Sequence, residues 1–200
     1  MKRIYFVLII AMAYGLGLYS QTMEVTITPS SDNTIFLESD LSNGLGEFFF
    51  AGTSNKEVVK RALVKFTLSQ DIPDGVTIDS AKVVLSPVKV KPGTTSIDVH
   101  LVTTYWGEGT SKAEDGDGKG APATIGDATW NFAMYNSVPW VKVGGDFALE
   151  KSASFDVSLG ENAVFSSERI TVDVNYWLQN PSKNYGWILI GDETTKATSV

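Results

Sequence analysis

Apolar and polar residues alternate singly along most of this chain, and no long 3.6-residue apolar repeat interrupts the pattern. A period of two sends successive side chains to opposite faces of an extended backbone, so it selects half-buried strands. Met23, Val25 and Ile27 alternate with Glu24, Thr26 and Thr28. Ala62, Val64, Phe66 and Leu68 share one face, while Arg61, Lys65 and Thr67 take the other with Leu63. Ile97, Val99 and Leu101 alternate with Asp98 and His100, which places His100 on the solvent face. Ile170, Val172 and Val174 read as one more strand, followed by one or two helical turns up to Gln179 and a stop at Asn180-Pro181. Asn43-Gly44, Ile72-Pro73-Asp74-Gly75 and Lys91-Pro92-Gly93 supply the turns. The pattern predicts an all-β fold: an antiparallel β-sandwich of jelly-roll type with one long aromatic-rich loop and at most short helical turns.

Before the first strand the chain has a different character. Lys2 and Arg3 precede Ile4 to Leu18, an uncharged and almost wholly apolar run, and Tyr19-Ser20-Gln21-Thr22 then turns polar. That is the layout of a secretory signal peptide, with cleavage expected after Ser20. The alternative is an uncleaved anchor, but fifteen residues fall short of the ~20 that a spanning helix needs. The expectation is a secreted or cell-surface protein with no membrane insertion after cleavage, and a single domain over 21–200. Cleavage removes two basic residues and no acidic one, taking the net charge from −7 to −9. Such an acidic chain is a poor partner for nucleic acid or an anionic membrane, both of which call for a basic patch. With no cysteine, stability must come from core burial, which a chain of this length can supply.

From Gly107 to Gly145 no convincing strand is visible, although Asp127 to Tyr135 could make a short helical turn. The stretch carries Trp130, Phe132, Tyr135 and Trp140, too many aromatics for plain disorder. It therefore reads as a folded flap pinned to the sandwich by its own aromatics. Indole and phenol rings stack on the flat C–H faces of sugars, so Trp106, Trp130, Tyr135 and Trp140, with Glu108 beside them, form the candidate glycan-binding set. The competing reading is a satellite hydrophobic cluster that holds a long loop down. Trp177 and Trp187 lie on apolar-patterned elements and belong to the core.

Asp115 and Asp117 are weak candidates for a structural Ca²⁺, because Lys119 and Gly126 occupy positions where an EF-type loop needs an acid and a glutamate. A solvated turn explains that stretch as well, and Asp32 or Asp146 are other possible calcium ligands. Catalysis finds little support. His100 is the only histidine, there is no thiol, and no G-x-S-x-G elbow occurs. Glu108 is the least implausible acid for a lyase or hydrolase, and the expectation is that the chain is not an enzyme.

The order of several motifs carries a family resemblance. Arg61 to Leu68 is followed by Ile72-Pro73-Asp74-Gly75 and Ile78-Asp79-Ser80-Ala81. Trp106-Gly107-Glu108-Gly109, Gly126-Asp127-Ala128-Thr129-Trp130, Trp140, Gly144-Gly145-Asp146 and Asn184-Tyr185-Gly186-Trp187 come after them. Over about residues 30–195 this series resembles the DNRLRE domain and the related carbohydrate-binding module family 96, although the hexapeptide behind the first name is absent. The resemblance implies a secreted jelly-roll module that binds polysaccharide, with alginate as the associated substrate class, as part or neighbour of a larger glycan-processing system. Similar domains continue into one more strand, which implies that the chain is a piece of a longer protein. The alternative function is a structural or adhesive cell-surface domain without glycan binding.

Overall fold

The computed structural model describes residues 11–13, 22–37, 39–68, 72–73, 75–88, 90, 95–114 and 118–200. The turn at Lys91-Pro92-Gly93, Asp74 of the earlier turn, and the acidic pair Asp115 and Asp117 lie outside them, as does most of the leader. Among the described residues no helix is long and apolar enough to cross a membrane.

The fold is an antiparallel β-sandwich-like structure built on one large sheet. Strands β1 (Ser31–Phe36), β2 (Val59–Lys65), β5 (Thr95–Val102), β6 (Phe147–Val157) and β8 (Trp187–Ile190) line up in the order β6-β5-β8-β2-β1. A short sixth strand, Gly52–Thr53, pairs with the start of β2. Between these elements run β3 (Ile78–Ser80), β4 (Lys82–Leu85), β7 (Ala163–Ser166) and one helix, α1 (Glu168–Gln179). β4 and β7 form an antiparallel pair, and β3 pairs with Ala11–Ala13, which also pairs with Thr22–Met23.

The sheet is buried on both faces, which explains the one residue that broke the alternation in β2. Ala62, Val64 and Phe66 face a core shared with Ile97, Val99, Trp187 and the helix residues Ile170, Val174 and Trp177. Leu63, on the opposite face, packs with Ile35, Val102, Ile188 and the flap tryptophans in a second core. His100 shares that second face. It is buried rather than solvent-facing, with its ring 5.1 Å from that of Phe147 and its Nδ1 2.9 Å from the carbonyl oxygen of Ala148.

The helix is longer than its sequence suggests. Ile170 to Val174, expected as a strand, are its first turns. Ser167 caps it by accepting a hydrogen bond from the Ile170 backbone N–H at 3.0 Å, and Glu168 supplies the acid of the first turn. Ile170, Asp173, Val174 and Trp177 are its buried residues, at i, i+3, i+4 and i+7. The β-branched residues between them imitate a strand, and the buried stripe overrides that propensity. Asn180 and Pro181 end the helix where expected.

The expected helical turn over Asp127 to Tyr135 is also replaced. Phe132–Met134 pairs with Val138–Pro139 as a small hairpin, and Ala121–Pro122 pairs with Leu41–Ser42. These short pairings stitch the long loop into a lid over the second face of the sheet.

Candidate functional site

The flap is held by its own motif residues. Trp106, Trp130 and Trp140 are 4%, 6% and 5% exposed, so their rings do not stand free to stack on a sugar. A large aromatic buries most of its surface when an apolar face is available, and the second face of the sheet provides one. Their polar handles turn inward as well. The Trp106 indole N–H donates to the Tyr185 carbonyl at 2.7 Å, and that of Trp140 donates to the Thr129 carbonyl at 2.8 Å. Trp130 lies under Arg61, whose guanidinium carbon is 4.7 Å from the ring centroid. Arg61 also donates to the Gly144 carbonyl at 2.7 Å and pairs through two nitrogens with Glu193. One cation thus ties the sheet, the flap and the C-terminal segment together.

Glu108 and Tyr135 complete the expected set, and neither joins a ring platform. The Glu108 carboxylate accepts from the Asp32 backbone N–H at 3.0 Å, and its carbonyl accepts from the Asn33 side-chain amide at 3.1 Å. Glu108 therefore covers the edge of β1, where an unpaired N–H would otherwise need water. Tyr135 is half-buried, packs edge-on against Phe132 at 5.7 Å, and its hydroxyl lies 3.5 Å from the Asp40 carboxylate.

The same logic explains the glycines of these motifs. Gly107 lies so close to the Gly126 carbonyl that a β-carbon would collide with it. Gly109 has φ +70° and packs against the Asp127 carboxylate, so any side chain there is both strained and obstructed. Fully buried Asp127 accepts from the Thr110 and Thr124 backbone N–H groups, each at 2.6 Å, and from that of Ser111 at 3.4 Å. Asp146 accepts from the backbone of Val141 and Lys142 and from the Thr104 hydroxyl. On the other side of the sheet, Asp173 takes the Trp187 indole N–H at 2.9 Å and the Ser152 hydroxyl at 2.5 Å. Each buried carboxylate is thus engaged by donors of the fold itself.

Among the described residues no group of three or more His, Cys, Asp or Glu is arranged to hold a metal. A shallow groove of about 290 Å³ has Asp98 and Asp192 among its walls. Burial alone would raise the Asp98 pKa, but hydrogen bonds from Lys151 and Ser154, with the Lys151 charge, hold it below the ordinary carboxylate value. The Thr195 side chain, then the backbone of Thr195 and both groups of Thr194, hold Asp192 far below that value.

Among the described residues a cleft of about 440 Å³ opens between the end of β2, Pro73, Gly75 and Val76, and the C-terminal end of α1. Lys65, Thr67, Pro73, Trp177, Gln179 and Asn184 are among its walls. Lys65 also reaches over the ring of Tyr105, with Nζ 5.5 Å from the centroid. Tyr105 is 54% exposed and follows the last residues of β5. Sequence reasoning favoured Trp106 and passed over its neighbour. The available signal was the position of the pair just past a strand end, where one ring turns in and the next turns out.

No family model, no curated protein and no solved structure matches this chain.

Proposed function

We propose that the chain is a non-catalytic carbohydrate-binding domain of an exported protein, with its contact surface at the Tyr105–Lys65 edge rather than on the flap tryptophans. The observation that carries the reading is an exposed phenol ring joined through one lysine to a cleft of about 440 Å³. A ring with a polar tip suits a half-wet sugar face, and the cleft falls in the ~300–1,000 Å³ range of small-molecule sites. The engagement of Asp127, Asp146 and Asp173 by donors of the fold supports a binding role over acid–base chemistry. The motifs that resemble the DNRLRE domain bear on the fold more than on a ligand, because the flap members are the residues that hold the flap down.

The experiment is affinity electrophoresis through gels containing alginate, xylan, mannan or β-glucan, with and without calcium. Retardation on at least one glycan is expected, and Tyr105→Ala should remove most of it while leaving the unfolding midpoint unchanged, since the ring is exposed. Unchanged mobility on every glycan would defeat the reading.

A second reading, a structural or adhesive surface domain, is favoured by one observation: the three flap tryptophans are committed to the interior.

A further inference from the structure

Four of the five tryptophans meet a polar partner of the fold through the indole N–H or the ring face, whereas Trp177 has its ring packed on Trp187, centroids 4.4 Å apart, and its N–H unmet. Trp106, Trp140 and Trp187 donate their indole N–H groups at 2.7, 2.8 and 2.9 Å, and Trp130 is capped by Arg61. Trp177 is 1% exposed, yet its Nε1 has no hydrogen-bond partner. A buried donor left unpaired costs free energy, and such groups in folded proteins are few. A second orphan stands beside the same space. Asn184 donates its amide to the Phe66 carbonyl at 2.7 Å, but its Oδ1 is buried and accepts nothing. Both residues line the cleft next to Lys65. One donor and one acceptor, both unused and both closed off from solvent, thus belong to residues that line one cavity.

We infer that this cleft is a sugar subsite whose occupation opens its wall enough for hydroxyl groups to accept from Trp177 Nε1 and donate to Asn184 Oδ1. A hydroxyl is the common group that does both, so a polyol satisfies the two orphans without a charge. Pro73, Val76 and Leu178 supply apolar wall for the C–H faces of the ring, and Tyr105 extends the contact outward across Lys65. Ordered water is the competing occupant, because it also donates and accepts. The inference rests on the carbohydrate reading and adds the place and the atoms of contact.

The test follows the indole N–H signal of Trp177 by ¹⁵N–¹H NMR in the intact protein, assigned through the backbone. The protein is titrated with tetrasaccharides of alginate, xylan, mannan and β-glucan, and the gel assay is run in parallel. The Trp177 signal is expected to move to saturation with the oligosaccharide of the retained glycan, while those of Trp106 and Trp140 stay in place. Thr67→Trp, an exposed rim position, should block the cleft and abolish retardation with the fold intact. Retardation with a stationary Trp177 signal, or undiminished in Thr67→Trp, overturns the subsite and leaves the carbohydrate reading standing. Absence of retardation on every glycan overturns the reading and the subsite together.

Discussion

Trp140→Ala is expected to lower the free energy of unfolding by about 3–5 kcal/mol, the usual cost of deleting a buried aromatic ring. The ring is buried in the second core with Trp106, Trp130 and Ile188. The Thr129 carbonyl would also lose the indole donor that it holds at 2.8 Å. Urea denaturation followed by circular dichroism measures the effect as a fall in midpoint at nearly constant slope. A ligand platform behaves oppositely. Truncating an exposed ring changes stability by no more than about 0.5 kcal/mol and changes binding instead. The same variant therefore separates a clasp from a platform, and only the clasp predicts large destabilisation.

Asp127→Ala should be comparably severe, at roughly 3 kcal/mol or more, because each hydrogen bond to a charged acceptor contributes about 1.5–3 kcal/mol. The carboxylate holds the backbone N–H groups of Thr110 and Thr124 on its two oxygens. Asp127→Asn is not expected to rescue the fold. Whichever way the amide is turned, its NH₂ meets one of those two N–H groups, donor against donor. Thermal unfolding of the two variants beside the parent checks this, and near-parental stability of the asparagine form would contradict the geometry. The flap would then owe its position to something other than the Asp127 clasp.

Much of the fold was legible because the physics is local. Period-two alternation in β2 and β5 marked strands, and Leu63 stood out as the apolar residue on the wrong face. Its partner, the flap, is brought over that face by contacts distant in sequence, such as Trp130 with Arg61 and Glu108 with Asn33, so the second core could not be read from either segment alone. His100 was misplaced for the same reason. A polar residue in an alternating strand reads as solvent-facing unless something covers it, and Phe147 does. The helix was misread through its β-branched residues, although the spacing of Ile170, Val174 and Trp177 and the serine before Glu168 were both visible.

The candidate site was the least legible feature. Aromatic residues in a long loop suggest a binding surface by composition, but composition does not say which way a ring points. The motif glycines were the better guide. A glycine required by close backbone approach, as at Gly107 and Gly109, marks a segment packed tightly against another one. Trp106-Gly107-Glu108-Gly109 and Gly126-Asp127 are two halves of one clasp, and the tryptophans inside such a clasp turn inward. Tyr105, one residue outside it, stands in solvent.

The chain has five tryptophans, at positions 106, 130, 140, 177 and 187, and the structure buries all of them. Intrinsic fluorescence with iodide as quencher addresses that directly in the unlabelled protein. Blue-shifted emission with almost no iodide quenching until the protein is unfolded is the expected result. A red-shifted component that iodide quenches in the native state would show a tryptophan facing solvent and contradict the burial of all five, and its loss in Trp106→Phe, Trp130→Phe or Trp140→Phe would place that failure in the flap.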